Sequence, residues 1–198
     1  FTTIAETEHQ SHVILISQEK CSEMDCLDSE LYPIRLLELL GLNDLKIFNN
    51  KKLINEDIWL KLIDLHEGNP FYLREIYLLI KDVFDGNIEE FWSESCGSNI
   101  LPLVTNKMQA HFKQLFNRLA KIEQLLILEL SQFEEPLSRA NLIQGLDFSS
   151  IDLMNGFQSL QRRYLVRQIV DSENKVLFHL SPVWRQYVKN SMLLHQSR

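Results

Sequence analysis

Apolar residues recur along most of this chain at intervals of three or four positions, and such stripes predict helices with one face turned to a core. Asn55 is predicted to cap the first of these helices, in which Ile58, Trp59, Leu62 and Ile63 share a face. Further helices are predicted from Pro70 to about Asp85-Gly86, and over 88–92, 103–119, 122–131, 139–146, 151–163 and 183–193. Ser138, and Ser149 or Ser150, are the expected N-caps of two of them.

Shorter apolar runs predict strands. HVILIS (12–17) is typical of a fully buried strand in a parallel sheet, and YPIRLLEL (32–39) of a strand edge leading into Gly41. VRQIV (166–170) and VLFHL (176–180), separated by the polar turn DSENK, predict a β-hairpin.

Between two helical patterns stands HEGNPFYL (66–73). The simplest interpretation is a helix break, in which Gly68 ends one helix in a left-handed conformation and Pro70 opens the next. The alternative is that the second helix points its positive N-terminal end at an anion.

The stretch SESCGSNILP (93–102) is the best candidate for a domain boundary, and the charge balance changes sign there. The net charge of the 198 residues is −7, but residues 1–102 hold 8 Lys and Arg against 19 Asp and Glu, a balance of −11. Residues 103–198 hold 12 against 8, a balance of +4. We therefore expect the two halves to attract each other.

Composition narrows the class of protein. A hydrophobic fraction of 45% is enough for a real core, and we expect neither a signal peptide nor a membrane span. Three cysteines favour reduced thiols and a cytoplasmic location over a disulfide framework. Because the first residue is Phe, we expect the chain to be a piece of a longer polypeptide.

Metal binding and catalysis receive little support. His9, His12, Cys21 and Cys26 have spacings that superficially suit zinc, but His12 begins the proposed buried strand and C-x₄-C is not a compact knuckle spacing. No metal site and no catalytic residue is predicted.

Other reactive side chains have structural interpretations. Cys96 is interpreted as an inert thiol and His111 as a helix-surface or core histidine. Glu89-Glu90 and Glu134-Glu135 are adjacent pairs that we expect to be solvated, and not to act as a general acid and base.

Three helices, a hairpin and a closing helix predict a winged helix-turn-helix. DNA binding is a weak expectation, because the candidate recognition helix 151–163 offers Asp152 and Asn155 in its first turns and Arg162 and Arg163 only at its end. The positive balance of this half matches the acidic half better than it matches a duplex.

The order of several motifs then points to a family. The buried run ends in SQEK (17–20) and is followed by LGL (40–42), GNPFYL (68–73), DVFDGNIEEF (82–91), RL…IEQLLILEL (118–130), LQRRYLV (160–166) and FHLSPVWRQYV (178–188). This series resembles the C-terminal part of the nucleotide-binding module of STAND ATPases of the NB-ARC type, especially bacterial forms that precede repeat domains.

The resemblance implies a fold and a division into domains. The expected fold is mainly α, a small helical bundle with a remnant of an α/β sheet, followed by a winged helix-turn-helix. Residues 1–40 would end a P-loop α/β domain, 41–100 would form the helical domain and 101–198 the winged helix. In the family, ADP holds these parts closed, and exchange for ATP lets the winged helix swing away and the protein oligomerise.

The resemblance also implies site residues. Gly68, Asn69 and Pro70 match the G-x-P motif, whose proline packs against the adenine end of the nucleotide. Gln18 stands where the family usually has an arginine that senses the γ-phosphate. Ser181 stands where many relatives have a histidine that contacts a phosphate of ADP; His179 is a substitute for it or, more simply, a hairpin residue with an ordinary hydrogen bond.

The expected function is therefore a regulatory segment that closes over ADP or ATP held mainly by a P-loop domain. No G-x-x-x-x-G-K-[ST] and no Mg²⁺-binding acidic pair occur in the 198 residues, so this chain alone should not hydrolyse ATP. Its partners would be the rest of its own polypeptide: the P-loop domain, and C-terminal repeats or an effector. Two alternatives stay open, a DNA-binding transcription regulator and an interaction scaffold with degenerate nucleotide binding.

Overall fold

The computed structural model describes residues 2–7, 10–21, 34–43, 55–95, 101–143 and 148–196. The fold is mainly α with one small antiparallel sheet, as predicted. The helices are α1 Thr2–Glu6, α2 Glu56–Leu65, α3 Pro70–Val83, α4 Ile88–Ser95, α5 Asn106–Asn117, α6 Lys121–Ser131, α7 Arg139–Ile143, α8 Ser150–Arg162 and α9 Pro182–Gln196. The strands are β1 Leu137–Ser138, β2 Val166–Val170 and β3 Val176–Leu180.

The predicted hairpin is confirmed residue for residue. Val166 pairs with Leu180 and Val170 with Val176, and β1 adds to the other side of β3, so the strand order is β1-β3-β2. The chain order α6, β1, α7, α8, β2, β3 is that of a winged helix-turn-helix. Strand β1 was not predicted, because its two residues pair with a strand that lies about 40 positions later in the chain.

Most helix starts follow their predicted local signals. The hydroxyl of Ser149 accepts a hydrogen bond from the Asp152 amide, and that of Ser138 from the Asn141 amide. Asn55 precedes α2 as predicted, but its backbone is left-handed (φ 62°) and its side chain makes no capping hydrogen bond. The side-chain amide of Asn55 instead donates to the carboxylate of Glu89 in α4, at 2.8 Å.

The predicted strands over 12–17 and 32–39 are wrong for the residues that the structure describes. Residues 11–17 and 34–40 have no regular secondary structure. Ile14 is 86% exposed, Ile16 88% and Leu37 80%. A strand needs a neighbour for its backbone N–H and C=O groups, and within the described residues none lies beside these runs. Residues 32 and 33 lie outside the described part.

Two apolar clusters make the core. The first is formed by α2, α3 and α4, and includes Trp59, Leu62, Ile76, Ile80, Ile88 and Phe91. The second is formed mainly by α5 to α9, and Tyr72 of α3 extends into it. Much of the predicted boundary stretch, residues 96–100 with Cys96, lies outside the described residues, as does 144–147 at the end of the helix predicted over 139–146. Among the described helices, none combines the length and the apolarity that a membrane span requires.

Candidate functional site

The Gly-Asn-Pro turn is a helix break with a defined geometry. Gly68 is left-handed (φ 63°), as predicted, and its amide donates to the carbonyl of Ile63 at 2.7 Å. Asn69 caps α3 by accepting from the Phe71 amide at 2.9 Å. Pro70 is the first residue of α3 and is exposed. The turn therefore closes α2, opens α3 and leaves the proline ring accessible.

The backbone of Gly41 and Leu42 packs against this turn. The Leu42 amide donates to the Gly68 carbonyl at 2.8 Å. A Cβ atom at Gly68 would lie 2.1 Å from the Leu42 carbonyl oxygen, and one at Gly41 would lie 1.9 Å from the Glu67 carbonyl oxygen. The glycines of the LGL and GNP motifs therefore allow two backbones to touch. This juxtaposition was not predicted.

Glu67 connects the turn to the winged helix. Its carboxylate accepts a hydrogen bond from the Ser181 hydroxyl, at the start of α9. Its other oxygen lies 3.6 Å from a guanidinium nitrogen of Arg167 in β2. The structure therefore brings the turn of Gly68, Asn69 and Pro70 within one side chain of Ser181. Sequence analysis missed Glu67, because nothing in the local pattern shows where a side chain at the end of a helix will point.

His179 and Arg185 stand on the winged-helix side of this contact. Nδ1 of His179 and Nε of Arg185 are buried and have no hydrogen-bond partner among the described residues. The ordinary hydrogen bond expected for His179 is therefore missing at Nδ1. Burial lowers the pKa of His179, and so do Arg185 and Arg167, while Glu67 and Glu135 act in the opposite direction.

Gln18 lies in a different setting. It is exposed, and its neighbours attach the segment to the end of α8. The Lys20 amide donates to the Arg162 carbonyl at 2.8 Å, and Glu19 pairs with Arg163 at 3.0 Å. The structure thus joins the turn to Ser181 through Glu67, but holds the Gln18 segment at the end of the recognition helix.

Ion pairs link the acidic and the basic halves. Beside the pairs of Glu67 and Glu19, the buried carboxylate of Glu75 in α3 lies 3.0 Å from the ammonium of Lys107 in α5. Each of these pairs joins an acid of residues 1–102 to a base of residues 103–198. The opposite charge balances of the two halves predicted this attraction.

The charged side chains at the two ends of α8, the predicted recognition helix, have different surroundings. Arg163 at its end is occupied by Glu19 and also lies 3.9 Å from Glu123. At its start Asp152 is exposed, next to the exposed apolar side chains of Ile151 and Met154. Phosphate contacts need several cations, and beside these acidic and apolar groups stands the guanidinium of Arg139, which donates to the sulfur of Met154 at 3.6 Å.

The remaining sequence candidates do not converge. His12 is exposed, and His9 and Cys26 lie outside the described residues. No group of three or more His, Cys, Asp or Glu side chains within the described ranges could hold a metal ion. The ring of His111 packs at 5.2 Å from that of Phe71. Glu89, Glu90, Glu134 and Glu135 are exposed.

His66, immediately before the turn, is fully buried. Its Nδ1 lies 2.9 Å from the Leu62 carbonyl oxygen and its Nε2 3.1 Å from that of Leu103. A neutral imidazole carries one N–H and can donate to only one of these carbonyls. Burial lowers the pKa of His66, and the two carbonyls and Glu67 oppose this shift only in part.

Stability is therefore expected to fall below about pH 6.5, the ordinary value for histidine. Below this pH the unfolded chain binds a proton at His66 that the folded state does not bind, so the free energy of unfolding falls. The slope is at most about 1.4 kcal/mol per pH unit for each such group. His66→Gln should flatten this slope between pH 7 and pH 5 in urea unfolding curves. His12→Gln, at an exposed histidine, is the control; equal slopes for all three proteins would contradict the prediction.

Comparison with known proteins identifies a relative. The chain is 30% identical over 197 residues to an uncharacterized WD repeat-containing protein of Nostoc sp.. The match covers 96% of this chain and 15% of the relative, so the chain spans less than a sixth of that protein's length. No protein-family model matches the chain.

Proposed function

We propose that this chain is the helical and winged-helix segment of a STAND-type signalling ATPase, and that it works as a nucleotide-gated hinge. ADP or ATP, with Mg²⁺, would be held mainly by a P-loop domain elsewhere in the same polypeptide. The ordered motifs support the proposal, and so does the winged-helix topology. The similar protein of Nostoc sp. contains WD repeats, which agrees with the resemblance to bacterial forms that precede repeat domains.

The observation that carries the proposal is the contact of Glu67 with Ser181. In the family, the nucleotide lies where the G-x-P turn, the winged helix and the P-loop domain meet. Here the turn with Gly68 and Pro70 meets the start of α9 through a single polar side chain. An ion pair with Arg167 adds to the contact. A polar contact of this kind can be broken and remade, as a hinge requires.

Two exposed apolar runs support a neighbouring domain. Val13 to Ile16, and Leu36, Leu37, Leu39 and Leu40, are each between 48% and 88% exposed. Exposed apolar stretches of this length are typical of surfaces covered by another protein part. We propose that a P-loop α/β domain covers them.

In this arrangement, the exposed ring of Pro70 packs against adenine, and Ser181 faces a phosphate, with His179 behind it. Gln18 supplies a neutral donor in place of the family's arginine, so discrimination of the γ-phosphate is weaker. The chain's partners are then the other domains of its own polypeptide and, in the ATP state, further copies of it in the cytoplasm.

Nucleotide content of the whole protein tests the proposal. We expect the purified protein, with all polypeptide beyond these 198 residues, to release ADP on acid extraction. Pro70→Ala should weaken ADP binding by roughly 5- to 30-fold, since loss of the two ring methylenes that pack against the base costs about 1–2 kcal/mol. Its effect on the free energy of unfolding should be small, because Pro70 is exposed and the Asn69 cap remains.

The matched control is Pro136→Ala, at a proline between α6 and β1, which should bind ADP like the wild type. Absence of nucleotide after purification, together with no binding of ADP or ATP at millimolar concentration, would refute the proposed function.

A further inference from the structure

Glu67 is held in an unusual conformation. Its backbone is left-handed (φ 53°), a conformation that residues other than Gly, Asn and Asp rarely adopt. Its side chain is only 19% exposed, although burying a charged carboxylate costs free energy unless it is paired. Both carboxylate oxygens are engaged, one by the hydroxyl of Ser181 and the other by the guanidinium of Arg167. The carboxylate is thus directed into the winged helix by specific partners.

The groups around this carboxylate are those that bind phosphate. Ser181 supplies a hydroxyl donor and Arg167 a guanidinium. Nδ1 of His179, two residues before Ser181, and Nε of Arg185, four residues after it, are buried and without partners among the described residues. A buried polar atom without a partner is costly, and a ligand that supplied further oxygens would relieve that cost.

We propose that Glu67 competes with the phosphate groups of the nucleotide for Ser181 and Arg167. This inference rests on the proposed function and concerns the regulation of the same site. Without nucleotide, the carboxylate takes the place of a phosphate and holds the Gly-Asn-Pro turn against the winged helix. The chain itself then provides the closing contact.

Nucleotide binding replaces this contact by another. A phosphate carries more negative charge than a carboxylate and has three acceptor oxygens, so it binds a hydroxyl and a guanidinium more strongly. The Glu67 side chain must leave, because two anions cannot share these donors without repulsion. After the exchange, the nucleotide takes over the contact that Glu67 made with Ser181 and Arg167, and loss of the phosphates lets Glu67 return.

Glu67→Gln separates this role from a purely structural one. The variant keeps the size of the side chain and an oxygen that accepts from Ser181, but removes the charge that competes with phosphate. In the whole protein, we expect the affinity for ADP to rise roughly 5- to 10-fold, because a nearby like charge has been removed. The affinity for adenosine, which has no phosphate, should change less than about twofold.

Glu75→Gln is the matched control. It removes another charged contact between the two halves, the pair of Glu75 with Lys107, without touching Ser181 or Arg167. If Glu67 only strengthens the attachment of the halves, the two variants should change the affinities for ADP and adenosine alike. Displacement of a fluorescent ADP derivative by each ligand measures both affinities, and circular dichroism verifies that each variant is folded.

The outcomes separate the two proposals. An increase in ADP affinity that is specific to Glu67→Gln supports the competition. Unchanged selectivity between ADP and adenosine, in a protein that does bind ADP, overturns the competition and leaves the nucleotide hinge standing. Absence of ADP binding in the wild type and in both variants overturns the two proposals together.

Discussion

Gly68→Ala is expected to lower the free energy of unfolding by about 3 kcal/mol or more, because a left-handed position and a backbone clash act together. The left-handed conformation alone costs a non-glycine residue about 1–2 kcal/mol. The new Cβ would also lie 2.1 Å from the Leu42 carbonyl oxygen and 2.4 Å from its nitrogen. Since these are backbone atoms, the two segments must separate and the hydrogen bond from Leu42 to Gly68 is lost. Urea unfolding of both proteins measures the difference.

Gly86→Ala is the control for the backbone term. Gly86 is also left-handed (φ 81°), at the end of α3, but a Cβ there would meet nothing within 4 Å. We expect a loss of only about 1–2 kcal/mol, the cost of the conformation itself. Equal losses for the two variants would show that the close approach of Gly68 and Leu42 does not contribute.

Phe112→Ala should destabilise the fold by about 3–5 kcal/mol, the usual range for a buried phenylalanine. Phe112 is fully buried, and its ring centroid lies 5.4 Å from that of Tyr72 in α3, 4.8 Å from Trp184 and 5.2 Å from Tyr187 in α9. The substitution leaves a cavity where the helical part and the winged helix meet, and it removes these ring contacts. The midpoint of thermal unfolding should move to a lower temperature, and the midpoint of urea unfolding to a lower urea concentration.

Phe133→Ala provides the comparison, because that ring is 41% exposed. Its loss should cost about 1 kcal/mol or less, since less apolar area leaves the core. If Phe112→Ala behaved like Phe133→Ala, the aromatic cluster would not join α3, α5 and α9 in solution.

Local patterns in the sequence were sufficient for the helices and the hairpin. The helix predicted from Pro70 is present as α3, and its apolar residues Tyr72, Ile76 and Ile80 are buried, although Val83 at its end is 65% exposed. Ser149 caps α8, and the DSENK turn lies between β2 and β3. These features depend on residues within a few positions of one another, so their physics can be derived from the sequence.

The wrong strands show where such patterns are insufficient. HVILIS has the composition of a buried strand, but an apolar run becomes a strand only if another strand pairs with its backbone. β1 shows the converse, since two unremarkable residues, Leu137 and Ser138, pair with β3 because the fold brings them there. Asn55 stands at the predicted cap position, yet its side chain bonds Glu89, 34 positions away.

By itself, the sequence determined a mainly helical chain, a winged helix, a glycine-proline helix break at 68–70 and two halves of opposite charge, because each follows from spacing or composition. Only the tertiary structure decided that Gly41 and Gly68 lie in backbone contact, that Glu67 reaches Ser181 and Arg167, and that the Gln18 segment follows the end of α8. Those contacts join residues from 27 to 144 positions apart, and their geometry depends on how whole helices pack.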